Sequence, residues 1–251
     1  MFCFQLDFKE MRPIPRILIF VTSLFFLSAC SSLDTEEEVT PSPTIPPSPG
    51  TSGSYLALGD SYTIGQGVAA TERWPVHLAN YLSGEGVKVG EPRIIAQTGW
   101  TTADLLQRVK SEKFDRGYEL VSLMIGVNNQ YQGRSLEEFR TQFRELLSLS
   151  TAIALKDPTN VFVLTIPDWG GTPFGSSRDQ AYVSSQIKKF NEVIKAEAAA
   201  AGITVIDVYE VSLLVKETPS YLAPDGLHYS GFMHQRWAQM ALPEAKKKLP
   251  Y

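Results

Sequence analysis

Ser61 is the first residue whose position in this sequence suggests a chemical role. It ends YLALGDS, residues 55–61, where four mostly apolar residues precede Gly-Asp-Ser. Two interpretations are open: Asp60 and Ser61 hydrogen-bond the local backbone of a turn, or Ser61 is a nucleophile displayed at the end of a buried strand. The second interpretation requires a base that takes the proton of the Ser61 hydroxyl.

His228 is the candidate base, in the polar segment PDGLHYSG at residues 224–231. Asp225 stands three residues before it, a spacing that lets the carboxylate accept a hydrogen bond from Nδ1 and leaves Nε2 free. The three residues predict a catalytic triad. Ser61 is its nucleophile, His228 acts first as general base and then as general acid, and Asp225 orients the imidazole.

Ester hydrolysis also needs hydrogen-bond donors aimed at the oxyanion that forms in the transition state. Gly99 lets a backbone N–H approach a ligand without a Cβ in the way, and Asn128 offers a side-chain NH₂ after a buried strand. With the N–H of Ser61, these groups predict a three-donor oxyanion hole. Candidate substrate contacts, with packing or loop support as the alternative, are Asp60, Trp100, Asn129, Tyr131 and Trp169.

Apolar runs with strand character alternate with helical patterns after residue 54. The runs are YLAL at 55, PRIIAQ at 92, ELVSLMIG at 119, NVFVLTI at 160 and ITVIDV at 203. The helical patterns occupy residues 73–82, 102–110, 135–155, 180–201 and 231–242. Strands that are apolar throughout are covered on both faces, so the pattern predicts an α/β fold with a five-stranded parallel sheet between two helix layers.

The candidate site residues follow these predicted strands. Ser61 comes after the first strand, Gly99 after the second, Asn128 after the third and Trp169 after the fourth, and His228 lies in the closing loop. Ligands of open α/β sheets bind outside the carboxyl ends of the strands. We therefore expect these residues to meet at one edge of the sheet.

Four sequence blocks resemble those of the SGNH, or GDSL-type, hydrolases: GDSY, TGWTT, GVNN and DGLH, in this order. The resemblance spans residues 55 to about 240 and implies a flavodoxin-like three-layer α/β/α domain over residues 55–251. It also implies ester hydrolysis through an acyl-enzyme, with no metal or other cofactor. The family's nucleophile, oxyanion-hole residues and Asp/His pair match Ser61, Gly99, Asn128, Asp225 and His228.

Two positions depart from the pattern of many family members. Asn129 stands where many have Asp after the block asparagine, and Tyr229 stands where many have Pro after the catalytic histidine. Neither change removes a catalytic group. We expect both to affect the shape of the pocket.

Residues 1–29 predict a secretory signal peptide of the lipoprotein type, with Met11 a better natural start than Met1. An apolar run from Ile17 to Leu27 follows basic residues and is short for a membrane span. The ending Leu-Ser-Ala-Cys resembles a bacterial lipobox, which implies a lipid anchor at Cys30 and export to the cell envelope. An uncleaved anchor helix is the alternative.

Residues 30–54 predict a disordered tether after the lipidated cysteine, because residues 31–54 carry five prolines, four acids and almost no large apolar side chain. Residues 54–251 hold 20 Lys and Arg against 21 Asp and Glu, so we expect no nucleic-acid partner. The only cysteines are Cys3 and Cys30, and no HExxH or CxxC spacing predicts a metal site.

Together these patterns predict a lipid-anchored serine esterase that hydrolyses carboxylic esters, with short-acyl (acetyl) esters of carbohydrates as the first choice. No long apolar insertion offers to hold a fatty chain, and Trp100, Tyr131 and Trp169 are placed to stack on sugars. One alternative is a lysophospholipase or thioesterase. Another is an inactive domain of the same type that binds glycans.

Overall fold

The computed structural model describes residues 53–249, which lie within one compact unit. The predicted signal peptide, the predicted lipidation site Cys30 and all but the last two residues of the predicted tether lie outside the described residues. Among the helices of residues 53–249, none is both long enough and apolar enough to cross a membrane.

A five-stranded parallel sheet forms the centre of the unit, as the sequence predicts. The strands are β1 (Tyr55–Gly59), β2 (Arg93–Ala96), β3 (Leu120–Met124), β4 (Val161–Leu164) and β5 (Thr204–Ile206). Their order across the sheet is β2-β1-β3-β4-β5, with every neighbouring pair parallel.

Helices cover the sheet, and the five long helical patterns of the sequence are confirmed. The helices are α1 (Ser61–Ile64), α2 (Trp74–Gly84), α3 (Thr102–Ser111), α4 (Val127–Tyr131), α5 (Leu136–Ile153), α6 (Gln180–Ala200), α7 (Tyr209–Ser212) and α8 (Gly231–Lys248). Helix α2 packs against α8, while α5 packs against both α3 and α6, so the helices form two groups around the sheet. This is the predicted three-layer α/β/α architecture.

The core lies on the three middle strands. Every residue of β1, β3 and β4 is buried, as apolar strands covered on both faces should be. The two edge strands are different, because β2 is mostly half-buried and β5 begins with an exposed residue. The expectation of full cover is therefore correct for the middle of the sheet and wrong for its edges.

Close packing at the end of β1 depends on Gly59. A Cβ built on this residue would overlap the Oγ1 of Thr63 and lie 2.5 Å from the backbone oxygen of Met124. Gly59 pairs with Met124 and with Ala96 in the sheet, so the ends of β1, β2 and β3 are level. The missing side chain thus lets the chain turn into α1 directly against β3.

We predict that Gly59→Ala lowers the free energy of unfolding by about 3 kcal/mol, because backbone atoms of β3 cannot move away from the new methyl group. Gly84→Ala is the matched control, since Gly84 ends α2 with no atom within 4 Å of a Cβ built there. Urea unfolding of both variants measures the difference. Equal stability of the two variants would contradict the close packing at Gly59.

Candidate active site

Ser61 begins helix α1 directly after β1, and both interpretations of the GDS segment describe part of the structure. Asp60 is the N-cap of α1, and its Oδ1 accepts a hydrogen bond from the N–H of Tyr62 at 3.0 Å. Ser61 is 4% exposed and lines a cavity at the carboxyl end of the sheet. The aspartate thus builds the turn, and the turn places the hydroxyl on the cavity.

The cavity, called here the Ser61 cavity, has a volume of about 180 Å³. Four of the five residues predicted for catalysis and the oxyanion hole line it: Ser61, Gly99, Asn128 and His228. The other residues of its wall are Tyr62, Thr98, Val127, Tyr131, Trp169, Phe174 and Leu227.

Asp225, the fifth predicted residue, lies behind His228. Its Oδ2 is 2.7 Å from Nδ1 of His228, and its Oδ1 accepts the backbone N–H groups of Leu227 and His228, both at 2.9 Å. Burial opposes the ionisation of Asp225, but these hydrogen bonds hold the pKa of the carboxyl below its usual value. An ionised Asp225 accepts from Nδ1–H and leaves Nε2 as the basic nitrogen of the ring.

His228 is also oriented by the ring beside Ser61. Tyr62 packs edge-on against the imidazole with ring centroids 5.8 Å apart, and only 12% of the His228 side chain is exposed. Tyr229, the departure from the family pattern, is buried, and its hydroxyl donates to the backbone oxygen of Asp168 at 3.0 Å. The loop of His228 is thereby tied to the loop that carries Trp169.

Gly99 and Asn128, the predicted oxyanion donors, both line the Ser61 cavity. Gly99 has a φ of +86°, and the space where a Cβ would stand is open. One N–H of the Asn128 side chain donates to the backbone oxygen of Trp100 at 2.9 Å. The same bond holds the amide in place and leaves its second N–H for a ligand.

Helix α4, which carries Asn128, is too short to show as a pattern in the sequence. It begins after Gly126, whose φ is +130° and whose Cβ would lie 2.7 Å from the ring of Phe139. Only glycine fits this position, and the turn it makes starts α4 directly after β3, where Asn128 lines the Ser61 cavity.

Aromatic side chains form one side of the cavity. Tyr131 and Trp169, both predicted as substrate contacts, pack edge-on at 5.4 Å between ring centroids, and Phe174 lies 6.0 Å from Trp169. Trp169 is held by a hydrogen bond of 2.7 Å from its Nε1 to Gln130. Tyr131 is 48% exposed and Phe174 40%, so both rings are accessible at the rim.

Three predicted substrate contacts do not line the cavity. Asp60 is fully buried at the N-cap of α1, and Trp100 is half-buried and contacts Asn128 through its backbone oxygen. Asn129 is fully buried and bonds Thr102 twice, accepting from its backbone N–H at 2.9 Å and donating to its hydroxyl at 2.7 Å. Asn129 therefore joins α4 to the start of α3. Its position agrees with the alternative that it supports the loop and does not contact substrate.

Five residues of the wall are not among the predicted site residues: Tyr62, Thr98, Val127, Phe174 and Leu227. Four of them had a signal in the sequence, because one lies in each of the GDSY, TGWTT, GVNN and DGLH blocks. Phe174 lies in a loop after β4 with no motif, and only the folded chain brings it to the site. Within residues 53–249, no three His, Cys, Asp or Glu side chains are grouped as ligands of a metal ion.

The sequence matches the family model described as the GDSL-like lipase/acylhydrolase family over residues 57–236. Among curated proteins, none matches the chain.

The structure is similar to several solved structures, each spanned almost completely by this chain. A lipase/acylhydrolase from Enterococcus faecalis has 24% identity and a TM-score of 0.60, covering 79% of this chain and 97% of its own. An acetyl xylan esterase from Geobacillus stearothermophilus has 20% identity and a TM-score of 0.60, covering 80% and 96%. The protein named TesA has 20% identity and a TM-score of 0.62, covering 78% and 99%. Similarity at this identity shows a shared fold.

Asp60, the residue before Ser61, has a carboxyl group whose pKa is raised. Burial raises the pKa of Asp60 to about 7, against the lowering effect of the hydrogen bonds from backbone N–H groups, that of Tyr62 first among them. Its Oδ2 is buried without a hydrogen-bond partner among the described residues. The folded protein therefore keeps the proton of Asp60 at a pH where the unfolded chain has lost it.

We predict that Asp60→Asn removes a part of the pH dependence of stability. Between about pH 4 and pH 7 the unfolded wild type binds fewer protons at this residue than the folded one, so the contribution of Asp60 falls as pH rises. The full effect is on the order of 4 kcal/mol. Urea unfolding at pH 4 and pH 7.5 should show the variant gaining stability relative to wild type at the higher pH, since Asn still caps the N–H of Tyr62. A constant difference would contradict the raised pKa.

Proposed function

This chain belongs to the GDSL-like lipase/acylhydrolase family of the SGNH hydrolase superfamily, and from that premise we propose that it is a serine esterase acting through an acyl-enzyme at Ser61. The family supports carboxylic ester hydrolysis. The substrate proposed is a short-acyl ester, acetyl above all, of a carbohydrate.

One observation carries the proposal. Nδ1 of His228 lies 2.7 Å from the carboxylate of Asp225, and the same imidazole lines one cavity with the Ser61 hydroxyl. A base that a carboxylate orients and that shares a cavity with a serine is the pairing from which acyl transfer to a hydroxyl proceeds. A domain that only binds glycans has no need for that pairing.

The proposed reaction has two halves. The Ser61 Oγ attacks the ester carbonyl carbon while its proton passes to Nε2 of His228, and Asp225 stabilises the imidazolium that forms. The N–H groups of Ser61, Gly99 and Asn128 donate to the oxyanion. Collapse of the tetrahedral intermediate breaks the bond to the alcohol oxygen, which takes the proton from His228. Water then attacks the acyl-enzyme with His228 again as base, and Ser61 leaves with the proton.

The acyl group is proposed to be short because the Ser61 cavity is small. Its volume is about 180 Å³, and the side chains of Val127, Phe174 and Leu227 form part of its wall. An acetyl or butyryl group suits this space better than a fatty chain. The similarity to an acetyl xylan esterase supports a carbohydrate as the alcohol portion, and the accessible rings of Tyr131 and Phe174 offer faces for it.

We predict that Ser61→Ala and His228→Ala each lower kcat at least ~10³-fold, and that the double variant is no worse than either, because the two residues act as a unit. The assay uses the full-length protein and chromogenic esters of two to twelve acyl carbons, with the highest activity expected at two to four. Ser83→Ala, an exposed serine on α2, is the matched control. Strictly additive losses would contradict the triad, and equal rates for all chain lengths would contradict the short acyl group.

Variants of the neighbouring residues Asn128 and Asn129 should have different effects, one on catalysis and the other on stability. We predict that Asn128→Ala lowers kcat by about 10²- to 10³-fold with little change in KM, since a donor to the oxyanion is lost. Asn129→Ala should lower the free energy of unfolding by about 2 kcal/mol, because it leaves the buried N–H of Thr102 without a partner. Steady-state kinetics and urea unfolding of both variants check this. A pure KM effect in Asn128→Ala would remove it from the oxyanion hole.

A further inference from the structure

A second and larger groove lies beside the Ser61 cavity. It has a volume of about 350 Å³ and is formed by the segment after α4, the loop after β4 and the first turns of α6. We call it the arginine groove, after Arg134 and Arg178, which line it together with Tyr131, Trp169, Asp179 and Tyr182.

The arginine groove and the Ser61 cavity share a wall. Tyr131 and Trp169 line both of them. A molecule whose ester carbonyl lies at Ser61 therefore reaches the arginine groove by crossing this aromatic pair. The small Ser61 cavity has room for the acyl group of an ester, and the larger arginine groove is open to its alcohol portion.

The charged side chains of the groove are available to a ligand. Within residues 53–249 the guanidinium of Arg178 forms no ion pair or side-chain hydrogen bond, and Nη2 of Arg134 has only a long contact of 3.5 Å with Gln132. Asp179 is the acidic residue of the wall, and its Oδ1 accepts the N–H of Tyr182 as the N-cap of α6. The balance of formal charge on the wall is positive.

The groove also presents accessible aromatic faces. Tyr182 is 59% exposed and Tyr131 48%, and both line the groove. Aromatic rings that keep a polar tip in water suit ligands with one apolar face and hydroxyl groups around it, such as sugar rings. Arginine is the side chain whose planar fork matches a carboxylate or a phosphate.

We propose that the arginine groove binds an anionic sugar in the alcohol portion of the ester, through Arg134 and Arg178. The shared chemistry is an anionic group on a sugar ring, a carboxylate or a phosphate. This inference rests on the proposed esterase function and adds the substrate class to it: acyl esters of acidic carbohydrates are preferred over esters of neutral ones.

The test compares three acetyl esters of one sugar that differ only in a terminal group, which is a hydroxymethyl, a carboxylate or a phosphate. For the full-length protein at low salt, kcat/KM for at least one anionic ester should exceed that for the neutral ester by about tenfold. Arg134→Gln and Arg178→Gln should each reduce this preference about tenfold, mainly through KM for the anionic ester. The better of the two anionic esters identifies the anion.

Arg236→Gln is the matched control, because Arg236 is exposed on α8 and lines neither the groove nor the Ser61 cavity. It removes the same charge and should keep the preference of the wild type. A loss of preference in this variant would show a general effect of net charge and would overturn the proposed groove. Equal kcat/KM for all three esters in the wild type would overturn it too, while leaving the esterase in place.

Direct binding separates the two proposals if no ester is hydrolysed. Isothermal titration of the wild type and Arg178→Gln with methyl glucuronide, a sugar phosphate and methyl glucoside measures the groove without catalysis. Binding of an anionic sugar that Arg178→Gln loses would support the groove and reject the esterase. No binding of either anionic sugar would overturn the groove.

Discussion

The level ends of three neighbouring strands are the constraint on which the site depends. Gly59 pairs in register with Ala96 and with Met124, so β1, β2 and β3 end level with one another. The segments that follow the three strands therefore lie close together. Ser61 begins α1 after β1, Gly99 follows β2, and Asn128 lies in α4 after β3, which is why residues far apart in sequence line one cavity. A side chain at Gly59 would separate β1 from β3 and with them the nucleophile from the oxyanion donors.

At two of these strand ends, adjacent residues have different roles, because one residue is buried in the core and its neighbour lines the cavity. Asp60 is buried and caps α1, while Ser61 lines the cavity. Asn129 is buried and bonds Thr102, while Asn128 lines the cavity. In each pair the first-named residue makes hydrogen bonds that hold the backbone, so the side chain that lines the cavity keeps its direction before a substrate arrives.

The proposed substrate selection rests on the wall that the Ser61 cavity shares with the arginine groove. Tyr131 and Trp169 lie between a small cavity and a larger groove that carries two arginines. The hydroxyl of Tyr229, bonded to the backbone of Asp168, links this wall to the loop of His228. The departure from the family pattern at Tyr229 thus connects the loop of the proposed base to the wall that we propose contacts the substrate.

Apolar runs and the Asp-x-x-His spacing are local signals, so the strands, the long helices, the parallel sheet and the residues of the four sequence blocks could be predicted before the fold was known. Which neighbouring residues line the cavity follows from the folded structure: Asp60, Trp100 and Asn129 do not line it, and Tyr62, Thr98, Val127, Phe174 and Leu227 do. The partial exposure of the edge strands β2 and β5 could not be predicted either, because burial of a strand depends on its position in the sheet. Side-chain direction in short turns and 3₁₀ segments is set by packing against distant elements, as at Gly126 against Phe139. A local periodicity in the sequence does not reveal that packing.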